Sequence, residues 1–325
     1  MSFLFALSLF RAFVIAFGPA VLELNAFFPA LTATQGSLTM FDRISASWDL
    51  ARSSWQVLKT DSKLVLFPVL SAVGTGIVLI SFLVPIGLLT NWQQFAAANN
   101  NGRVQIQPYW YAIAFAFYFC NYFVIIFCNS ALVSCAIMHF NGQKPTLADG
   151  FNAAIARLPQ ILAWSLVSAT VGMLLKMIEN ANEKVGSIIS ALLGTAWTVM
   201  TIFVVPVLIV EKVGPFDAIS RSIAILKKTW GEGLVGRATI GLIMFLLALP
   251  GIGVVIAGGM LTANVGPVGI AVIAVGILYL LAVSAVGSAL QGIFLGALYQ
   301  YAAFGVVPTG YDADVLENAY RRKGR

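Results

Sequence analysis

The chain has 325 residues, of which 59% are hydrophobic and only 10% charged, and its mean hydropathy is +0.90. Soluble domains carry about 25% charged residues, so this composition implies a membrane as solvent and excludes an ordinary soluble enzyme. The net charge of +6 does not point to nucleic acid, because the basic residues flank apolar stretches instead of forming one patch.

The first segment, Met1–Thr39, is apolar over Phe3–Phe10 and Ala12–Leu22, but Arg11, Pro19, Glu23 and Pro29 interrupt it. No clean run of about 18 residues is left to span a bilayer, and no basic region precedes the apolar part as in a signal peptide. Three readings stand: an interfacial helix, a poorly ordered extension over 1–40, or a start that truly lies at Met40. From Phe41 the pattern becomes regular.

A spanning helix needs about 20 mostly apolar residues. Six stretches qualify, at roughly Leu64–Leu89, Tyr109–Met138, Ile161–Leu175, Ile188–Val210, Ala238–Gly258 and Val268–Ala297, the third being short. Together with their connections they fill 41–305 and leave no room for a soluble catalytic domain; 306–325 reads as a basic tail. Arg43, Arg52, Lys59 and Lys63 precede the first span. Lys144 and Arg157 separate the second and third, and Lys212, Arg221, Lys227, Lys228 and Arg237 separate the fourth and fifth. Arg321, Arg322, Lys323 and Arg325 end the chain. Only Arg103, Lys176 and Lys184 fall on the other side. The excess of Lys and Arg on one side places both termini in the cytoplasm.

A repeat organises the spans. FDRISASWDLARSSW (Phe41–Trp55) and FDAISRSIAILKKTW (Phe216–Trp230) share Phe41/Phe216, Asp42/Asp217, Ile44/Ile219, Ser45/Ser220, Ser47/Ser222 and Trp55/Trp230. Phe41, Ile44, Trp48, Ala51 and Trp55 step by three and four along one helix face, and Phe216, Ile219, Ile223, Leu226 and Trp230 do the same. Arg43, Asp49, Arg52, Gln56 and Lys59 face the other way in the first copy. A fainter copy is ADGFNAAIARLPQIL (Ala148–Leu162), whose helix Pro159 should end or kink near Arg157–Leu158. Each copy stands before an odd-numbered span. The expected fold is therefore all-α and polytopic: six transmembrane helices as three repeated units of interfacial helix plus transmembrane hairpin. An amphipathic helix with basic residues and Trp suits the headgroup plane, although packing on the protein produces the same periodicity.

With these stretches the chain resembles a family of uncharacterised bacterial and archaeal six-span membrane proteins that carry a domain of unknown function. The likeness rests on FDRISASWDLARSSWQVLKTDSKLVLFPVLS (Phe41–Ser71), NGQKPTLADGFNAAIARLPQILAWSLVSATVG (Asn141–Gly172) and FVVPVLIVEKVGPFDAISRSIAILKKTWGE (Phe203–Glu232). It runs from about Phe41 to about Gly305. The VGPFDAISRSIAILKKTW segment is also distantly similar to the membrane domain of some glycerophosphodiester phosphodiesterases, but no phosphodiesterase catalytic domain accompanies it. The resemblance implies a fold and a membrane location and supplies no reaction.

Chemistry is sparse. No ionisable residue lies in the middle of a span, which speaks against a proton pump. Tyr118, Asn121, Cys128, Asn129 and Cys135 share one broad face of the second span, and Ser284, Ser288 and Gln291 follow a helical step in the sixth. Asn121, Asn129 and Gln291 are candidates for a polar cavity, or for hydrogen bonds between helices. Ser284, Ser288, Gly292 and Gly296 form a small-residue ridge that lets a neighbouring helix, or a second copy in a homodimer, approach closely. Pro250-Gly251-Ile252-Gly253 makes the fifth span breakable. The three cysteines all lie in the second span, so no disulfide framework is expected, and the lone His139 makes no metal site.

No acid–base or nucleophile–base pair, cofactor motif or metal set emerges. The sequence reading is a non-enzymatic protein that contacts membrane lipids, anionic ones by preference, with an unidentified protein partner or homodimer left open and no nucleic acid. The candidate headgroup contacts are Arg52, Lys59, Lys227 and Lys228, with Trp48, Trp55 and Trp230 as depth anchors. A transporter for a neutral or lipid-like substrate is the alternative.

Overall fold

A computed structural model describes the chain over residues 52–89, 108–181, 185–309 and 311. All regular structure among the described residues is helical. A helix over 52–60 (α1) and a 3-10 turn at Ser62–Val65 lead into α2 (Leu66–Leu89). Then come α3 (Pro108–Phe140), α4 (Leu147–Ile155), α5 (Leu158–Ala181), α6 (Val185–Met200), α7 (Val204–Val210) and the helical run α8 (Pro215–Phe304). Among the described residues six helical segments are long and apolar enough to cross a membrane: Ser62–Leu88, Tyr109–Phe140, Leu158–Asn180, Gly186–Val210, Thr239–Thr262 and Gly266–Phe304. Their number, length and hydropathy fit a multi-pass membrane protein. The exposed Leu, Ile and Val of the first, fifth and sixth spans suit a lipid-facing surface.

The third span runs past the expected end at Leu175. Lys176 and Glu179 lower the local hydropathy, but they pair at 3.1 Å one helical turn apart, so the helix continues to Ala181. The fourth apolar stretch is not one helix. It stops at Met200 and restarts at Val204. Pro206 supplies the reason: inside a continuous helix its missing N–H and its ring would disrupt the turn before it, whereas in the first turn of α7 it is tolerated. The fifth span, expected to be breakable, stays helical through Pro250–Gly253. Pro159 acts as expected: α4 ends at Ile155 and α5 begins at Leu158.

The described residues group into two compact units. The first contains Leu70–Cys128 and Ala156–Ile223. In it α2 and α3 run antiparallel, with Gly74 against Val124 and Phe82 edge-on to Phe117. Trp164 stacks on Trp197 at 5.6 Å between α5 and α6, and Ser190 Oγ donates to the Leu175 carbonyl.

The second unit includes Asn129–Ile155 and the chain from Ala224 on. Within it α8 cannot be one rod. Gly251 lies beside Tyr279 and Leu280, Val255 beside Gly276, and Gly258 beside Ile273. A straight helix would separate Gly251 from Tyr279 by about 42 Å at 1.5 Å per residue. The run therefore doubles back between Thr262 and Gly266, giving an antiparallel hairpin of the fifth and sixth spans. The sixth span then lies along α3, where Gly292 meets Leu132 and Gly296 meets Ala136 and Phe140. These are two members of the small-residue ridge, and here they serve packing within one chain. Ser284 and Ser288 are exposed.

Candidate functional site

The polar chemistry of the second unit collects where α3 ends. Gly142, with φ of 79°, closes α3: its N–H bonds the His139 carbonyl and the Gln143 N–H bonds the Met138 carbonyl, an arrangement that favours glycine at the left-handed position. Next, α4 starts with a reciprocal cap. The Thr146 N–H and hydroxyl both donate to Asp149 Oδ2, at 2.8 and 2.7 Å, and the Asp149 N–H returns to Thr146 Oγ1 at 3.3 Å. These two bonds from Thr146 hold the Asp149 carboxyl below the usual carboxylate range. Asp149 is one of the three aligned aspartates of the repeat. Asp217 occupies the same third position of its helix, and a Cβ built on Gly214 would lie 3.9 Å from its Oδ2.

Between the end of α3 and α4 lies an open depression of about 430 Å³. Gln143, Lys144, Asp149 and Asn152 form its polar wall, and Met138, Pro145 and Ala153 its apolar one. Beyond the end of the sixth span the chain turns at Gly305 (φ 70°) and returns to α3. Thr309 Oγ1 donates to the Phe140 carbonyl at 2.7 Å, Tyr311 packs edge-on to Phe140, and the Tyr311 and Ser54 hydroxyls share a buried bond of 2.7 Å. Burial pushes the Tyr311 phenol up, against the smaller downward pull of Ser54. Gln300 Nε2 donates to Asn141 Oδ1, while Gln300 Oε1 is buried without a partner. The Thr-x-x-Asp spacing of 146–149 could have flagged the cap in the sequence. Nothing in the sequence flags the pairing of Ser54 with Tyr311.

The candidate headgroup residues are placed in part. Arg52 and Lys59 are exposed on α1, and the Lys59 ammonium sits 5.6 Å from the centre of the Trp55 ring, which is 41% exposed. The buried face of α1 is formed by Ser54, Val57 and Leu58, so Trp55 lies off it. Lys227 is exposed. Trp48 and the side chains of Lys228 and Trp230 lie outside the described residues, as do Met1–Thr39 and most of the first repeat copy. In the second copy Ile219, Ile223 and Leu226 are buried and Phe216 is 59% exposed. Most of that apolar stripe thus packs on protein. In the third copy Phe151 packs on Phe67, and Ile155 is 55% exposed.

The polar-cavity residues are half-buried. Asn121 Nδ2 donates to the Phe117 carbonyl of its own helix at 2.9 Å. Asn129 turns its Oδ1 toward Gly292, next to Gln291. The thiols Cys128 and Cys135 are buried and Cys120 half-buried, all unpaired by disulfide, and His139 lies edge-on to Phe140. Among the described residues no group of His, Cys, Asp or Glu could hold a metal ion.

In the first unit, Arg157 Nε donates to the Ile209 carbonyl at 3.2 Å, satisfying one of the free carbonyls in the last turn of α7. Arg221 Nε donates to Glu211 Oε1 and Oε2, at 2.9 and 3.1 Å.

These features are those of an all-helical protein whose six long apolar helices fit a multi-pass membrane protein. The family model for a family of unknown function, DUF6159, matches residues 109–309, well over half of the chain, and the chain belongs to that family. The match begins at the second span. No curated protein and no solved structure matches the chain.

Proposed function

We propose that this protein is a non-enzymatic, lipid-contacting component of a prokaryotic cytoplasmic membrane, with both termini in the cytoplasm. In this reading its six spans form three units, each opened by a helix at the headgroup plane. Anionic headgroups are held by Arg52, Lys59, Lys227 and Lys228, with Trp48, Trp55 and Trp230 setting depth. The observation that carries it is the Lys59–Trp55 pair at the mouth of the first span: an exposed ring at that level suits the membrane interface, and the cation beside it suits a phosphate. The reading takes no cofactor and no nucleic acid. It allows a protein partner or a homodimer.

The test is retention of phosphatidylglycerol against phosphatidylcholine by the purified chain in lipid discs. Arg52→Glu with Lys59→Glu should lower that preference by about 1 kcal/mol per charge removed. An unchanged preference overturns the mechanism. The transporter reading has less support, because Asn121 spends its amide within its own helix and Asn129 faces a close helix crossing.

A further inference from the structure

The depression beside α4 holds one cation and one anion that do not neutralise each other. Lys144 and Asp149 both line it, and among the described residues neither carries an ion pair. Both Thr146 bonds fall on Asp149 Oδ2, so Oδ1 is left to accept. α3 has 33 residues, which is about 50 Å of helix, against a hydrocarbon core of about 30 Å. That length is enough for its last turns, with Met138, to reach a headgroup layer. A volume of about 430 Å³ lies within the range of small-ligand sites, about 300–1,000 Å³.

We infer that this depression is a headgroup site for a phosphodiester bearing a primary amine, with Lys144 taking the phosphate and Asp149 the ammonium. Asn152 and Gln143 supply further hydrogen-bonding groups, and Met138, Pro145 and Ala153 meet the alkyl part. A primary ammonium donates N–H bonds to Asp149 Oδ1, which a trimethylammonium cannot do, so ethanolamine is preferred to choline. The inference rests on the lipid-contact reading but uses different residues and a different lipid.

The experiment offers the full chain equal amounts of phosphatidylethanolamine, phosphatidylcholine and phosphatidylglycerol in mixed vesicles and weighs the retained lipid by native mass spectrometry. The wild type should retain the ethanolamine lipid over the choline lipid. Lys144→Glu should cut ethanolamine-lipid retention about fivefold or more, the equivalent of about 1 kcal/mol. Asp149→Asn keeps an oxygen for the Thr146 cap and should remove the ethanolamine-over-choline preference. Ala153→Trp should fill the depression and abolish retention. Phosphatidylglycerol retention, assigned to Arg52 and Lys59, should stay put in all three, so the two readings fail separately. Competition by soluble phosphoethanolamine would show that the headgroup alone is recognised, and its absence that the intact lipid is the ligand. Equal retention of ethanolamine and choline lipids by the wild type, or unchanged retention in Lys144→Glu and Ala153→Trp, overturns the inference.

Discussion

Ser222 Oγ donates to the Met200 carbonyl at 2.6 Å and accepts the Phe203 N–H at 3.1 Å. One fully buried hydroxyl thus satisfies both sides of the break that Pro206 forces on the fourth span. It also gives Ser222 a role that amphipathic periodicity alone would not have reserved for serine.

Ser222→Ala leaves a buried carbonyl and a buried N–H without this partner. An unsatisfied buried polar group costs about 1–3 kcal/mol, so the variant should be destabilised by roughly 2 kcal/mol or more. Thermal unfolding in detergent measures it. A shift no larger than that of an exposed control such as Ser220→Ala would mean that the break is held by other contacts.

Glycines in the second unit should respond in opposite directions. A Cβ on Gly150 would lie 2.6 Å from Cys135 Sγ, 2.7 Å from Phe67 Cζ and 2.9 Å from the Ala131 carbonyl oxygen. Backbone cannot yield as a side-chain tip can, so Gly150→Ala should cost about 1–3 kcal/mol, as overpacked cores do. A Cβ on Gly253 meets nothing within 4 Å. There alanine should stabilise, by about 0.5–1 kcal/mol, through backbone entropy. Paired melting curves decide it, and equal shifts would contradict the packing of α4 on α3.

Much of this architecture is legible in the sequence because hydropathy reports membrane burial directly. The first span, expected at Leu64–Leu89, lies at Ser62–Leu88, and the fifth, expected at Ala238–Gly258, lies at Thr239–Thr262. The errors have local causes. Lys176 and Glu179 hide a turn of helix by pairing, and Pro206, inside a wholly apolar run, hides a break that hydropathy cannot register. Gly292 and Gly296 are legible through their spacing. The polar end is not. Ser54 and Tyr311 are 257 positions apart, and neither carries a periodic signal. The depression that Lys144 and Asp149 line exists only once the chain turns at Gly142 and sets α4 beside Met138 at the end of α3.

Tyr311 links stability to alkaline pH. Burial raises its folded pKa above the ordinary phenol value, which is about 10. A raised folded pKa favours the neutral, folded form. The contribution is therefore fully present below about pH 10 and declines as pH rises from there through the folded value. Tyr311→Phe should cost about 1 kcal/mol at pH 7 through the lost bond to Ser54. That gap should shrink above pH 10, because phenylalanine has no proton to lose. Urea or thermal titrations at pH 7 and pH 10.5 test this, and a gap independent of pH would mean that Tyr311 is not held neutral by the fold.

The doubling back of α8 makes a geometric prediction. Val255 Cγ2 lies 2.6 Å from a Cβ built on Gly276. Adding one carbon–carbon bond of about 1.5 Å bounds the separation of the two Cβ atoms at about 4.1 Å, inside the range a disulfide spans. In a single straight helix the same residues would be about 32 Å apart. Val255→Cys with Gly276→Cys should therefore cross-link under mild oxidation, seen as a linked peptide by mass spectrometry. Val255→Cys with Gly269→Cys should not, since Gly269 packs on Thr262. Efficient linkage of the second pair, or none of the first, would reject the hairpin register. That register also brings the Tyr279 hydroxyl to the Leu247 carbonyl at 2.8 Å. Tyr279→Phe should then leave the cross-link intact while lowering thermal stability by about 1 kcal/mol, separating the fold of the hairpin from the bond that fastens its far end.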